Sequence, residues 1–273
     1  MLTNGSRTTV DFDPPAPYYR ATGDEVEVFR AAARRGLPVL LKGPTGCGKT
    51  RFVEAMAAEL DRTLITVAGH EDMTSADLVG RFLFRGEETV WVDGPLTRAV
   101  REGAICYLDE VVEARQDATV VIHPLADHRR ELSVDRLATT VRAAPGFQLV
   151  ISYNPGYQSV LKNLKESTRQ RFVAIELDFP PTDIETEVVA REAGIDSATA
   201  RLLVDIGGAI RSLDGAGLRE VSSTRMLILA GGLVAEGLSL RSAVRSAIVE
   251  ALTDDRDIVR ALGELVEAFL PRS

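Results

Sequence analysis

Apolar positions along the chain change their spacing in a regular way, and the changes outline an architecture. Short, almost uninterrupted apolar runs occur at residues 37–41, 64–67, 104–108, 149–153 and 173–177. Runs of that length without polar alternation predict strands buried on both faces. Between them the spacing turns helical. Residues 24–35 place Val26, Phe29 and Ala33 on one side, and residues 51–60 do the same with Phe52, Val53, Met56 and Leu60. Five strands separated by helical segments predict an α/β fold with a five-stranded parallel sheet covered on both faces. From about Pro180 onward no convincing strand is found. Val188, Val189 and Ala193, then Leu202, Leu203, Ile206 and Ile210, keep helical spacing, so a small all-helical domain is expected over residues 180–273. The α/β core is expected over 18–179. Residues 1–17 read as a flexible tail, because Pro14, Pro15 and Pro17 block regular structure.

Two stretches interrupt the alternation. Residues 82–91 have a glycine-containing turn between two apolar arms, and residues 130–142 have a similar pattern, so hairpin inserts are expected at about 81–92 and 129–143. Their composition reads as mostly exposed. They fit surface ornament and partner contact equally well.

Composition narrows the function classes. The 273 residues carry a net charge of −8, with aromatics at 5%, and the pI is near 5.1. Neither a basic footprint nor a stacking platform for nucleic acid is present, so no nucleic-acid partner is expected. Lysine occurs only at Lys42, Lys49, Lys162 and Lys165, which makes Lys49 conspicuous in an arginine-rich chain. Cys47 and Cys106 form no disulfide or metal pattern and read as small packing residues. His70, His123 and His128 lack ligand spacing. The N-terminal residues lack an apolar signal core, and the stretch 226–238 is broken by Gly231, Gly232 and Glu236. No membrane insertion is expected, and the cytoplasm is the expected compartment.

Chemistry concentrates in a few motifs. Gly43-Pro44-Thr45-Gly46-Cys47-Gly48-Lys49-Thr50 matches G-x-x-x-x-G-K-[ST] in full between an expected strand and an expected helix. Such a loop turns backbone N–H groups toward phosphate, with Lys49 on the β- and γ-phosphates and the Thr50 hydroxyl on Mg²⁺. ATP and Mg²⁺ are the implied ligands. The run 104–108 delivers Asp109 and Glu110 to the carboxyl edge of the sheet, where ligands of such folds bind. Asp109 there would hold Mg²⁺ through water, and Glu110 would polarise the attacking water. Asn154 ends the run 149–153, which is expected beside the strand carrying Asp109. Its amide suits holding that water, although an Asn before Pro155-Gly156 also suits a turn. Arg169 and Arg171, just before the last strand, fit either an ordinary surface or an arginine supplied to a neighbour's nucleotide. Ser222-Ser223-Thr224 suit a helix cap, and Arg225 behind them could reach a γ-phosphate. No Asn-Lys-x-Asp base-reading motif and no serine or cysteine hydrolase signature is found.

Over residues 17–270 the chain resembles AAA+ ATPases of the MoxR group, in particular the CbbQ/NorQ/GvpN branch. The resemblance is carried by the runs 40–50, 93–100, 103–115, 152–158 and 167–172. It implies that Asn154 is sensor 1, Arg225 the sensor 2 arginine, and Arg169 and Arg171 the arginine-finger candidates, with Arg171 favoured. It also implies a homo-hexameric ring, hairpin inserts facing the pore or the client, and a von Willebrand factor A-domain adaptor protein. The client it implies is Rubisco, with nitric oxide reductase as the alternative and a non-motor gas-vesicle assembly role as a third reading. Residues 68–70, 92–93 and 132–141 depart from the expected family forms.

Overall fold

The computed structural model describes residues 17–110, 114–154, 166–213 and 220–270. The tail read over 1–17 therefore lies, except for Pro17, outside the described residues, as do the family-bearing positions 111–113 and 155–158.

Helix α1 (Glu25–Arg35) opens with acids in its first turn, closes on Gly36 in the left-handed conformation, and buries Phe29, Ala32 and Ala33. Strand β1 (Val39–Lys42) leads through the glycine loop into α2 (Lys49–Glu59), which begins two residues earlier than the periodicity suggests. The strand starts at Val39 because Pro38, just before it, has no N–H to give to a ladder. Then come β2 (Leu64–Ala68), α3 (Ser75–Val79), the antiparallel pair β3 (Gly80–Arg85) and β4 (Glu88–Asp93), α4 (Pro95–Glu102), β5 (Ile105–Asp109) and α5 (Gln116–Val121). A second pair, β6 (Glu131–Val134) and β7 (Thr139–Arg142), precedes β8 (Gln148–Tyr153), α6 (Glu166–Arg169) and β9 (Val173–Glu176).

The five expected strands form one parallel sheet in the order β2-β5-β8-β1-β9. Its central strands are buried along their length, and their residues alternate between two cores. Val39, Leu41, Ile105, Tyr107 and Val150 face Phe29, Phe52, Val53 and Met56 of α1 and α2. Leu40, Cys106, Leu108, Leu149 and Ile151 face Leu78, Leu96, Val100 and Ile122. Each continuous apolar run thus supplies both layers at once.

Both hairpins are mostly exposed, as expected, but they differ in how they meet the domain. On β3–β4, Phe84 is 86% exposed, and Phe82 meets Trp91 edge-on at 5.2 Å. On β6, Leu132 and Val134 are fully buried in the core, while Ser133 between them is exposed. Period-two alternation puts both apolar side chains on one face, and that face lies on the domain.

Beyond β9 the described residues are helical: α7 (Thr182–Ala193), α8 (Ser197–Arg211), α9 (Thr224–Ala235), α10 (Leu240–Val244), α11 (Glu250–Leu252) and α12 (Arg256–Phe269). They surround a separate core that includes Val189, Leu203, Ile206, Leu227, Ile248 and Leu262. The fold is α/β with a helical lid. Among the described residues, no helix is long and apolar enough to cross a membrane.

Candidate active site

The parallel registers bring the motifs to one edge. Lys42 pairs with Tyr153 and Leu108 with Ile151, so the residues just beyond β1, β5 and β8 are neighbours. The loop after β1 turns through Gly46 at φ 72°, where a Cβ would stand 2.6 Å from the Ser223 Cβ of the helical region. Only glycine meets both demands.

Lys49 is buried, and its ammonium donates to the carbonyls of Gly43 and Pro44, both at 2.9 Å, and to Asn154 Oδ1 at 2.6 Å. Burial pulls its pKa below the ordinary lysine value and Arg225 adds to this, while Cys47, Asp109 and Glu110 oppose. The Asn154 amide donates to Thr45 Oγ1 at 3.0 Å and reaches Glu110 Oε1 at 3.5 Å. The Thr50 hydroxyl is 3.3 Å from Asp109 Oδ2. A hydroxyl and a carboxylate at this spacing are the hard oxygen donors that Mg²⁺ prefers, so the residues present fit that ion. Among the described residues, no group of three His, Cys, Asp or Glu side chains could hold a metal by itself.

Two further residues hold Asp109, and the sequence reading gave them no role. The Tyr107 hydroxyl donates to Asp109 Oδ1 at 2.7 Å, and the Ser152 hydroxyl donates to the same oxygen. Ser152 also accepts from the Glu110 N–H at 3.0 Å. A signal existed: each hydroxyl sits inside an otherwise apolar buried strand, where a polar atom needs a partner. Glu110 itself adopts φ 52°, a conformation that non-glycine residues rarely take. Gly69, one of the positions that departs from the family form, gives its N–H to the Asp109 carbonyl at 2.7 Å. A Cβ there would stand 2.4 Å from the Glu110 carbonyl oxygen, so the small residue backs this turn closely.

A cavity of about 370 Å³ opens over these groups. One side is the loop from Thr45 to Thr50 with Asp109 and Glu110; the other includes Tyr18, Pro180, Val188, Ile228 and Leu229. A polar, N–H-rich floor and a largely apolar wall suit the phosphates and the base of a nucleotide. Arg225, one residue into α9, lines the same cavity, and the cap residue Ser223 accepts from Met226 N–H at 3.4 Å. Arg169 and Arg171 do not line it. Arg171 donates to the His123 carbonyl at 3.2 Å and lies 3.7 Å from Asp127, and Arg169 is exposed at the end of α6.

Comparison with known proteins places this geometry. An AAA domain of the dynein-related subfamily matches residues 38–172, and the CbbQ/NirQ/NorQ C-terminal region matches residues 185–269. Protein NorQ of Paracoccus denitrificans is 60% identical over 93% of this chain and 94% of its own length. The chain belongs to the CbbQ/NirQ/NorQ family of AAA+ ATPases. Protein CbbQ of Hydrogenophilus thermoluteolus is 58% identical over 90% of this chain and 92% of its own. The denitrification regulatory protein NirQ of Pseudomonas aeruginosa is 57% identical over 92% and 96%. The RuvB Holliday junction branch migration motor of Thermotoga maritima superposes with a TM-score of 0.52 at 19% identity, covering 89% of this chain and 67% of that one. That likeness is one of fold.

For this CbbQ/NirQ/NorQ-type ATPase the two cysteines stay outside the chemistry. Both are free and buried. Burial pushes the Cys47 thiol up, and that of Cys106 up to about 12, which disfavours the thiolate a nucleophile needs.

Proposed function

We propose that this chain is an ATP-driven remodelling motor acting on a protein client. The observation that carries the reading is the convergence of Lys49 and Glu110 on one amide. Asn154 stands 2.6 Å from the first and 3.5 Å from the second, and both of those residues line the cavity. In this reading the loop N–H groups and Lys49 bind and orient the phosphates. Thr50, and Asp109 through water, would hold Mg²⁺, which when bound neutralises phosphate charge. Glu110 takes up the proton of the attacking water, and Asn154 fixes that water relative to Glu110. Arg225 comes from the helical lid, so its contact with the nucleotide would couple the phosphate state to the angle between lid and core. The division at about residue 180 is the hinge of the proposed motor.

Arg169 and Arg171 stand away from this chain's own cavity, which supports a role on a neighbouring subunit's nucleotide in a homo-hexameric ring, with Arg171 the favoured finger. The relatives named NorQ, CbbQ and NirQ match at 57–60% identity. The proposed client is a metabolic enzyme, Rubisco or nitric oxide reductase, engaged with a von Willebrand factor A-domain adaptor, as the family resemblance of the sequence motifs implies.

Steady-state ATPase of the wild type against Glu110→Gln tests the motor. A loss of about a hundredfold or more is expected, because the residue that orients and deprotonates water is removed. Equal rates would reject hydrolysis as the working step. Mixing Glu110→Gln with Arg171→Ala subunits tests the shared site. Restored activity in the mixture supports a finger in trans, and none rejects it. Reconstitution with each client then assigns it, through the one whose activity rises only with ATP and adaptor.

A further inference from the structure

Among the described residues, the most completely buried charge in the helical lid lies beneath its contact with the phosphate loop, and the motifs leave it without a role. Glu185 of α7 is 1% exposed. Arg211, at the end of α8, grips both of its oxygens, at 2.8 and 2.7 Å. The remaining nitrogen of that group, Nε, gives to the Ser222 carbonyl at 2.6 Å, and the Thr224 hydroxyl gives to Glu185 Oε1 at 2.5 Å. The two residues flanking Ser223 are therefore tied to one buried ion pair.

Ser223 and Arg225 also reach the phosphate loop, and Thr224 lines the cavity beside Arg225. Ser223 presses on the loop so closely that a Cβ on Gly46 would meet it at 2.6 Å, with the Arg225 Cβ at 3.4 Å. The guanidinium of Arg211 also lies 4.0 Å over the ring of Phe179, on the segment that joins β9 to α7. One network thus ties together the core–lid connector, three lid helices and the turn that presents Arg225. Stability alone is a weak reason for such a pair, since buried ion pairs can often be replaced by packed apolar residues at no loss. A planar fork that fixes three acceptors at once does supply direction.

We propose that Glu185, Arg211 and Thr224 are positioning residues that set where Arg225 meets the phosphates. The proposal rests on reading Arg225 as a phosphate-facing group. It makes the Glu185–Arg211 pair the mechanical link between lid angle and hydrolysis.

The test is a pair of double-mutant cycles on the full chain, read by steady-state ATPase, with thermal denaturation to confirm folding. Arg211→Lys keeps the charge but loses the fork, and Thr224→Val keeps the shape but loses the hydroxyl. Each is expected to lower kcat about five- to tenfold, with KM for ATP changed less than about twofold. In an Arg225→Ala background, neither is expected to lower kcat further by more than about twofold, because the group they aim is gone. A full five- to tenfold loss in both backgrounds would overturn the proposal, as would unchanged kcat in folded Arg211→Lys and Thr224→Val proteins. If Arg211→Lys does not fold, the Thr224→Val cycle decides alone. Normal kcat in Arg225→Ala by itself would reject the underlying reading of Arg225, and the positioning proposal with it. That result is distinct from additivity between the sites.

Discussion

Two carboxylates in this molecule are held in opposite ways. Asp109, at the end of a central strand, is held by the neutral hydroxyls of Tyr107, Ser152 and Thr50. Glu185, inside the lid, is closed by the two-pronged grip of Arg211. Hydroxyls orient a carboxylate without cancelling its charge, so Asp109 keeps its capacity for a cation. Arg211 consumes the charge of Glu185 and converts it into geometry. The same functional group therefore reads as a ligand in one place and as a fastening in the other, and the partner decides which.

That contrast can be broken by exchanging what each carboxylate supplies. Asp109→Asn should cut kcat by about a hundredfold or more while leaving the melting temperature unchanged or higher, because a charge is removed from a site built to await another. A lowered melting temperature with ATPase intact would make Asp109 structural. Glu185→Gln should act on stability as well as on turnover, costing about 3 kcal/mol in urea unfolding, because the Arg211 guanidinium is left buried without its counter-charge. A cost below about 0.5 kcal/mol would show that this pair does not fasten the lid. Ser152→Ala should lower kcat about tenfold by loosening both Asp109 and the Glu110 backbone, at a stability cost of about 1 kcal/mol. Unchanged kcat would leave Tyr107 as the sufficient support. The smallest effect concerns pH. The pKa of Lys49 is lowered from 10.5 by burial, so its positive charge is lost on the alkaline side earlier than for an ordinary lysine. KM for ATP should rise as pH climbs through that range, and Lys49→Arg, which stays charged, should flatten the rise. A wild-type profile flat up to pH 10.5 would contradict the shift.

Much of this was legible in the sequence, for reasons that can be named. Buried parallel strands must be apolar on both faces, so the runs 37–41, 104–108 and 149–153 announced themselves, and the phosphate loop is a local motif whose chemistry depends on few neighbours. The strand order was mostly hidden, because pairing β1 with both β8 and β9 is a property of the assembled sheet. The inward face of Leu132 and Val134 does not show in the sequence, since two apolar residues are too short a pattern to tell which face meets the core. Glu185 and Arg211 stand 26 positions apart and look like ordinary surface charges until helix packing buries them together. Ser152 is silent in the sequence, because a hydroxyl in a strand shows its purpose only when its partners are known.

The unusual backbone of Glu110 carries a consequence for anyone seeking a sturdier version of this chain. Holding a residue with a Cβ at φ 52° costs folding free energy on the order of 1 kcal/mol, and glycine would remove that cost. Screening for heat resistance alone should therefore favour Glu110→Gly. The gain in melting temperature would come with the loss of the carboxylate that faces Asn154, so selection for durability and selection for turnover pull this one position apart.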